Sequence, residues 1–402
     1  MAETAKSNGA GVSHLLEQLS AELSAEQRIT IAAMPLPSAR SEGWRYSPLR
    51  ALESKVRAWK ASAGGLTTSD LSRSVLAEAL QLAPNDLCKP GSSNEALLIP
   101  ASARNSRERS VFSTAAALSF RSSHTLDKPQ LWLCAPQAGT QLTQAAHQFY
   151  VPPDTNALLI LEQQDGGAAD SLSNFLYQIE VAKSAKLSVI HVQCAGASQH
   201  VIERSEITLA EGAELNYFEL QTTLGWARHE LSISLAGSGA SAHVSSVCLL
   251  DARQHSDLQL SLWHESPNTR SSTRVKAIAQ GRARSVFNGK IWVAPGADGT
   301  DAQLKTNNLL LSDTAEIDAK PELEIYAEEV SCSHGATVGQ LDENALFYLQ
   351  SRGIDPADAR NMLIYAFAAE LLSRVDCKAA IPQLDQIIQS RLSKQIGEAT
   401  TA

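Results

Sequence analysis

A mainly β chain with helical ends is the fold class that this sequence predicts, and three observations predict it. From about Ala115 the apolar residues recur at every second position instead of at helical spacing. Strand-like runs then follow one another with no intervening helical pattern of ten or more residues. A turn phrase, a Gly or Asp followed by a small residue, recurs along the same stretch. Two architectures fit: a β-sandwich, or a parallel β-helix with coils of unequal length. A sandwich is expected to show hairpin dipeptides such as Asn-Gly between its strands. Asn288-Gly289 is the only Asn-Gly within the strand-like region, and it lies inside the run from Val286 to Val293. A β-helix avoids lateral edges by stacking each turn on the last, and its two ends need covers, which helical termini would provide. The pattern therefore favours a β-helix core over residues 106–338, between an N-terminal helical region over 1–105 and a C-terminal helical domain over 339–402.

In the N-terminal region, Val12, Leu15, Leu16 and Leu19 recur at helical spacing, as do Leu71, Val75, Leu76 and Leu80. Pro35 and Pro37 interrupt the pattern, and Gly43 to Arg50 (GWRYSPLR) form an aromatic–proline turn. Arg104 to Arg109 carry three arginines and are expected in an exposed loop. Within the core, Leu131–Leu133, Ala157–Leu161 and Phe175–Val181 are short strand-like runs. The alternation becomes persistent in Leu187–Gln193 and Val201–Leu209. The turn phrase appears as Glu211-Gly212-Ala213, Ser238-Gly239-Ala240, Gly281-Arg282-Ala283 and Asp313-Thr314-Ala315. Its intervals, about 27, 42 and 32 residues, make no strict repeat. In the tail, Asp342 caps a helix that stops at Gly353, and Asp355 caps the next, with Pro356 at its first position. The segment Met362 to Ala369 is apolar almost all round, which suits either a buried core or a partner surface. After Pro382, Leu384, Ile387, Ile388 and Leu392 share one face of a last helix.

Composition narrows the function. The chain has 402 residues, 44% hydrophobic and 19% charged, with a net charge of −9 and no basic run. A phosphate-neutralising surface for nucleic acid is not expected. The first residues lack the basic start and apolar stretch of a signal peptide, and no window approaches the roughly 18 apolar residues of a membrane span. A cytoplasmic location is expected. The six cysteines are scattered, with no C-x-x-C, and are expected to be free thiols rather than a closed zinc site.

No Walker A, G-x-G-x-x-G, G-x-S-x-G or H-E-x-x-H motif is present, so a self-contained enzyme is not expected. Asp298-Gly299-Thr300-Asp301 lacks the ligand spacing of a calcium loop and reads as a solvated turn. Glu322, Glu324, Glu328 and Glu329 form the densest carboxylate group, of the kind a β-helix carbohydrate enzyme uses, and read as a solvated edge. Cys332-Ser333-His334 places a thiol and an imidazole two residues apart at the end of the last strand, hence on one face. Both are good ligands for iron, although a buried structural cysteine explains Cys332 equally well.

The stretch from Lys290 to Leu372 carries a resemblance. Asn307–Asp313 (NNLLLSD), Ala315–Tyr326 (AEIDAKPELEIY), Cys332–Gly339 (CSHGATVG) and Leu346–Ile354 (LFYLQSRGI) closely resemble the SufB/SufD family of iron–sulfur cluster assembly proteins, and its SufD-like half in particular. Gly43 to Leu52 resemble the N-terminal phrase of the same half. The resemblance implies a right-handed parallel β-helix between helical ends. It further implies a complex with one SufB-like subunit and two copies of a SufC-like ATPase docked on the tail helices, through Leu346, Phe347, Tyr348, Arg352, Gly353, Ile354 and Phe367. A nascent Fe–S cluster would form where the last coils of the two β-helices pair, between a cysteine of the SufB-like partner and a histidine that falls here on His334, with Cys332 a weaker candidate. SufB-like chains carry a cluster-building cysteine in the segment that matches Ser312–Asp318, and Glu after the histidine. Here that segment has no cysteine, and Gly335 follows His334. The flavin reported for such complexes has no recognisable site in this sequence and would belong to the full complex. The alternatives are a purely structural partner for the SufB-like chain and, more remotely, the carbohydrate enzyme; a homodimer is left open for the isolated chain.

Overall fold

Period-two alternation with small residues at the turns produces stacked parallel coils. The computed structural model describes residues 24–32, 44–47, 76, 80, 120–127, 130–134, 142–163, 171–194, 196, 199–222 and 225–399. A short helix, α1 (Ala25–Ala32), precedes sixteen strands among the described residues, from β1 (Phe120–Thr125) to β16 (Ser331–Gly339). The odd-numbered strands form one eight-stranded sheet and the even-numbered strands another, every neighbouring pair parallel. The chain thus crosses from sheet to sheet at each turn and returns one coil further on, which is a β-helix. The expected fold class is the observed one, and among the described residues no hairpin joins its strands. Asn288-Gly289 lies within β13 (Arg284–Val293), where a Cβ on Gly289 would meet Phe287 and Leu304 side-chain atoms at 2.6 Å. That glycine makes room in the interior and turns no corner.

The turn phrases explain the uneven intervals. Gly212 and Gly239 sit at one corner of the coil, and Gly281 and Thr314 sit at the opposite corner. The first corner is a column of left-handed residues: Asp154, Ser184, Gly212, Gly239, Asn268 and Gly299 all have positive φ. Each donates its backbone N–H to a carbonyl of the next coil, as in Ser184 to Glu211 O at 2.9 Å and Gly299 to Glu329 O at 2.7 Å. The small residues that follow, Ala185, Ala213 and Ala240, are fully buried, so the corner closes tightly over the interior.

Register stacks like positions into columns. Leu159, Val189, Tyr217, Val244, Thr273 and Leu304 form one inward-facing column along the even sheet. The interior is apolar on the side of the left-handed corner, where Phe149, Phe175, Leu215, Ile233 and Leu260 pack. It is polar on the other side, where inward positions hold His191, Gln193, Glu203, Glu219 and His229.

The outer face of the even sheet is apolar and covered. Helices α2 (Glu343–Ser351), α3 (Pro356–Ala369) and α4 (Ile381–Ala399) follow β16, with short 3₁₀ turns between α3 and α4. Asp342 and Asp355 cap α2 and α3 by accepting backbone N–H bonds from Asn344 and Ala357, as their positions predict. Ile364, Ala368, Leu371, Leu384, Ile388 and Leu392 pack on Ile190, Phe218, Leu220, Val247 and Ile278 of the sheet. Each fully buried Leu or Ile there contributes roughly 1.5–3 kcal/mol. The tail therefore lies along the flank of the solenoid and does not plug its end. Helix α3, apolar all round in sequence, keeps an exposed side at Met362 and Ala366. Leu76 and Leu80 join the same cluster. The other expected N-terminal helical residues and Arg104–Arg109 lie outside the described residues, except for α1. Residues 44–47 dock on the odd sheet, with the Arg228 guanidinium 4.0 Å from the Trp44 ring and Ser47 Oγ 2.8 Å from His255 Nε2.

Candidate functional site

The solenoid ends abruptly after β14 (Asp301–Leu310). Among the described residues, strand β15 (Glu316–Ile325) pairs only with β13, and β16 only with β14, so both are edge strands of their sheets. No residue of either strand is fully buried, because no further coil stacks on them. Cys332 is in register with Ala302 and His334 with Leu304, so both continue inward columns onto the last strand. Cys332 packs against the interior core, and burial pushes its thiol up. His334, at the head of the column that begins with Leu159, is exposed. The motif thus divides into a half-buried thiol and an imidazole presented outward at the open end. Ile325, Tyr326 and Val338 are exposed apolar residues beside it, and Tyr326 terminates an aromatic ladder through Trp292 and Trp263.

The tail residues fall into two groups. Leu346, Phe347, Tyr348, Arg352, Gly353 and Ile354 lie on α2 and its C-terminal turn, a helix with no buried residue; Phe347 is 73% exposed. Gly353 there has φ of 84°, the left-handed turn that ends the helix. Phe367 instead faces the sheet, partly buried, with Lys276 Nζ 4.1 Å from its ring.

The remaining sequence candidates have structural partners. Lys320 pairs with Glu322, and Lys290 with Glu324 at 3.0 Å, on the outer face of β15. The Asp298 carboxylate accepts the backbone N–H groups of Glu328 and Glu329 at 3.2 and 3.4 Å, so that loop fastens one coil to the next. Cys248 is buried and Cys194 partly buried, and desolvation pushes both thiols to about 12.

A second cluster was not singled out from the sequence. On the even sheet, His191 of β6 (Lys186–Gln193) is in register with Glu219 of β8 (Glu214–Gln221). On the facing sheet, Glu203 of β7 (Gln199–Leu209) is in register with His229 of β9 (Trp226–Leu235). Across the interior, His229 Nδ1 lies 2.8 Å from Glu219 Oε1, and His191 Nε2 lies 3.4 Å from Glu203 Oε2. All four side chains are buried. Burial alone would raise both carboxyls, but the neighbouring imidazoles outweigh it, holding Glu219 at about 2 and Glu203 below its usual range. Burial would lower His229, but Glu219 and Glu203 lift it above its ordinary value. The sequence signal was parity: Leu187, Val189 and His191 share one strand face, so a histidine stands where the core is due.

A family model described as the SUF system FeS cluster assembly, SufBD core domain, matches residues 135–367, more than half of the chain. The iron–sulfur cluster assembly protein SufD of Escherichia coli is 41% identical over 197 residues, 48% of this chain and 46% of that protein. A SufBD family protein of Synechocystis is 33% identical over 222 residues, covering 54% and 48%. A SufBD family protein of Mycobacterium tuberculosis is 23% identical over 378 residues, 91% of each. The matched stretch spans about half the length of the first two relatives.

Proposed function

This chain belongs to the SufB/SufD family of iron–sulfur cluster assembly proteins, and we propose that it is the SufD-like subunit of a cluster scaffold. In this reading it pairs end to end with a SufB-like subunit, docks a SufC-like ATPase on α2, and supplies His334 to a nascent Fe–S cluster at the junction. The cluster is the cargo of the complex, and the chain is a non-catalytic partner that works in the cytoplasm. Any flavin is held by the assembled complex.

One observation carries the proposal: His334 is an exposed imidazole at the head of an inward column, on an edge strand. An edge strand offers free backbone donors and acceptors to a partner strand, and a neutral imidazole is a good iron ligand. Several features support the finer assignment to the SufD-like half. Ser312–Asp318 holds no cysteine, and Gly335 follows His334. The 41% identity with the E. coli protein points the same way. Helix α2, which buries none of its own residues, supports the docking role.

The test is anaerobic reconstitution of the chain with its SufB-like and SufC-like partners, wild type against His334→Ala. The variant is expected to copurify at full stoichiometry and to form less than about a tenth of the wild-type cluster by visible absorption. An intact complex with undiminished cluster would assign the chain a purely structural role.

A further inference from the structure

The polar half of the solenoid interior holds a set of side chains that the end site does not use. Three ligand atoms, one each from His191, Glu219 and His229, lie within 4.8 Å of one another. Donors bound to one ion at about 2.0–2.2 Å stand roughly 3–3.5 Å apart. The 2.8 Å from His229 Nδ1 to Glu219 Oε1 and the 3.6 Å from His191 Nδ1 to the same oxygen bracket that spacing. We propose that His191, Glu219 and His229, with Glu203 beside them, bind one divalent first-row transition-metal ion within the solenoid.

The outer atoms of these groups are held as ligands require. Ser246 Oγ donates to Glu219 Oε2 at 2.9 Å, and Gln193 Nε2 donates to Glu203 Oε2 at 3.1 Å. Ser205 Oγ lies 3.0 Å from His229 Nε2. The Ser246 and Ser205 contacts leave Glu219 Oε1 and His229 Nδ1 facing each other, and Tyr217 Oη lies 3.0 Å from His191 Nδ1; outer groups orient metal ligands in this way. Glu203 Oε1 is buried and accepts no hydrogen bond, standing 3.8 Å from His229 Nε2. A buried carboxylate oxygen without a partner is costly, and a cation satisfies it.

Charge leads to the same ligand. Two carboxylates face each other inside the solenoid and require two positive charges for neutrality. A divalent ion provides both while the imidazoles stay neutral and coordinate. Two imidazoles with carboxylate oxygens suit iron(II), zinc or cobalt(II) better than magnesium or calcium, which take oxygen ligands. The site lies on the column next to the one that ends at His334. From Glu219 that column runs through Ser246, Val275 and Thr306 to Ala336. The proposal does not depend on the role given to His334.

The full-length chain, purified metal-free and kept anaerobic, would be incubated with cobalt(II) as the probe. A second preparation would be expressed in cobalt-supplemented medium, so that loading does not depend on opening the folded solenoid. One equivalent of cobalt retained after desalting, with visible d–d absorption, is expected. His334→Ala should retain all of it, and His229→Gln should weaken binding tenfold or more while keeping a wild-type circular dichroism spectrum. Wild-type chain that holds no cobalt in either preparation would overturn the proposal, and so would equal retention in folded His229→Gln. Should that variant not fold, anomalous diffraction from crystals of the cobalt-loaded wild type decides. A peak among His191, Glu219 and His229 supports the site, and a peak only at the solenoid end removes it.

Discussion

His264 shows how a single residue sets pH dependence in this fold. Its ring is fully buried, with Nδ1 2.8 Å from Thr269 Oγ1 and Nε2 2.9 Å from Ser271 Oγ. Burial pushes it down to about 4 from an ordinary 6.5. His255, stacked on Trp226 and bonded to Ser47, is held at about 4, also by burial. For a base depressed by folding, the unfolded chain takes up the proton first. The stability each neutral ring confers is therefore complete above 6.5 and is lost as pH falls from there toward 4. Between about pH 7 and pH 5 the loss for His264 is about 2 kcal/mol. Urea unfolding at both pH values should show a steep decline for the wild type. In His264→Gln the decline should be smaller by about that amount, and an equal decline would show that the ring does not carry the effect.

At the scale of elements, two helices of the tail behave oppositely. Helix α4 buries Leu384, Ile388 and Leu392 against the even sheet, whereas α2 buries none of its residues. Leu384→Ala should destabilise the chain by about 2–5 kcal/mol, the cost of a cavity in a packed cluster. Phe347→Ala removes only exposed surface, so the melting temperature should move by less than about 1 °C. The same variant should lower retention of a SufC-like ATPase at least tenfold in a pull-down, since a large exposed aromatic is the kind of residue that dominates an interface. Loss of stability in Phe347→Ala would give α2 a folding role instead.

Among the described residues, the solenoid is a column whose last coil stands uncovered. Edge strands β15 and β16 leave backbone groups unpaired, and Ile325, Tyr326 and Val338 leave apolar surface open beside them. The isolated chain should therefore associate with itself through this end in a concentration-dependent way. Sedimentation should show Tyr326→Asp and Val338→Asp weakening that association tenfold or more, with the thermal transition unchanged. Self-association that persists in both variants would place the contact elsewhere.

The sequence by itself determined the class of fold, because period-two alternation and small residues at turns act locally and leave their mark in every coil. It also determined the helix caps Asp342 and Asp355, and it placed Cys332 and His334 on a common strand face, since parity needs no partner. Tertiary structure alone decided the rest. The interval of 42 stands out from 27 and 32 along the chain because the turn phrase moves there from one corner to the opposite one, and corners exist only once coils stack. Which of Cys332 and His334 reaches the surface depends on the missing next coil, not on either residue. His191 and His229 stand 38 positions apart in sequence, and only facing sheets bring them with Glu203 and Glu219 into one buried cluster. Local pattern dictates local conformation, whereas a site built across two sheets depends on register, which the packing of whole coils sets.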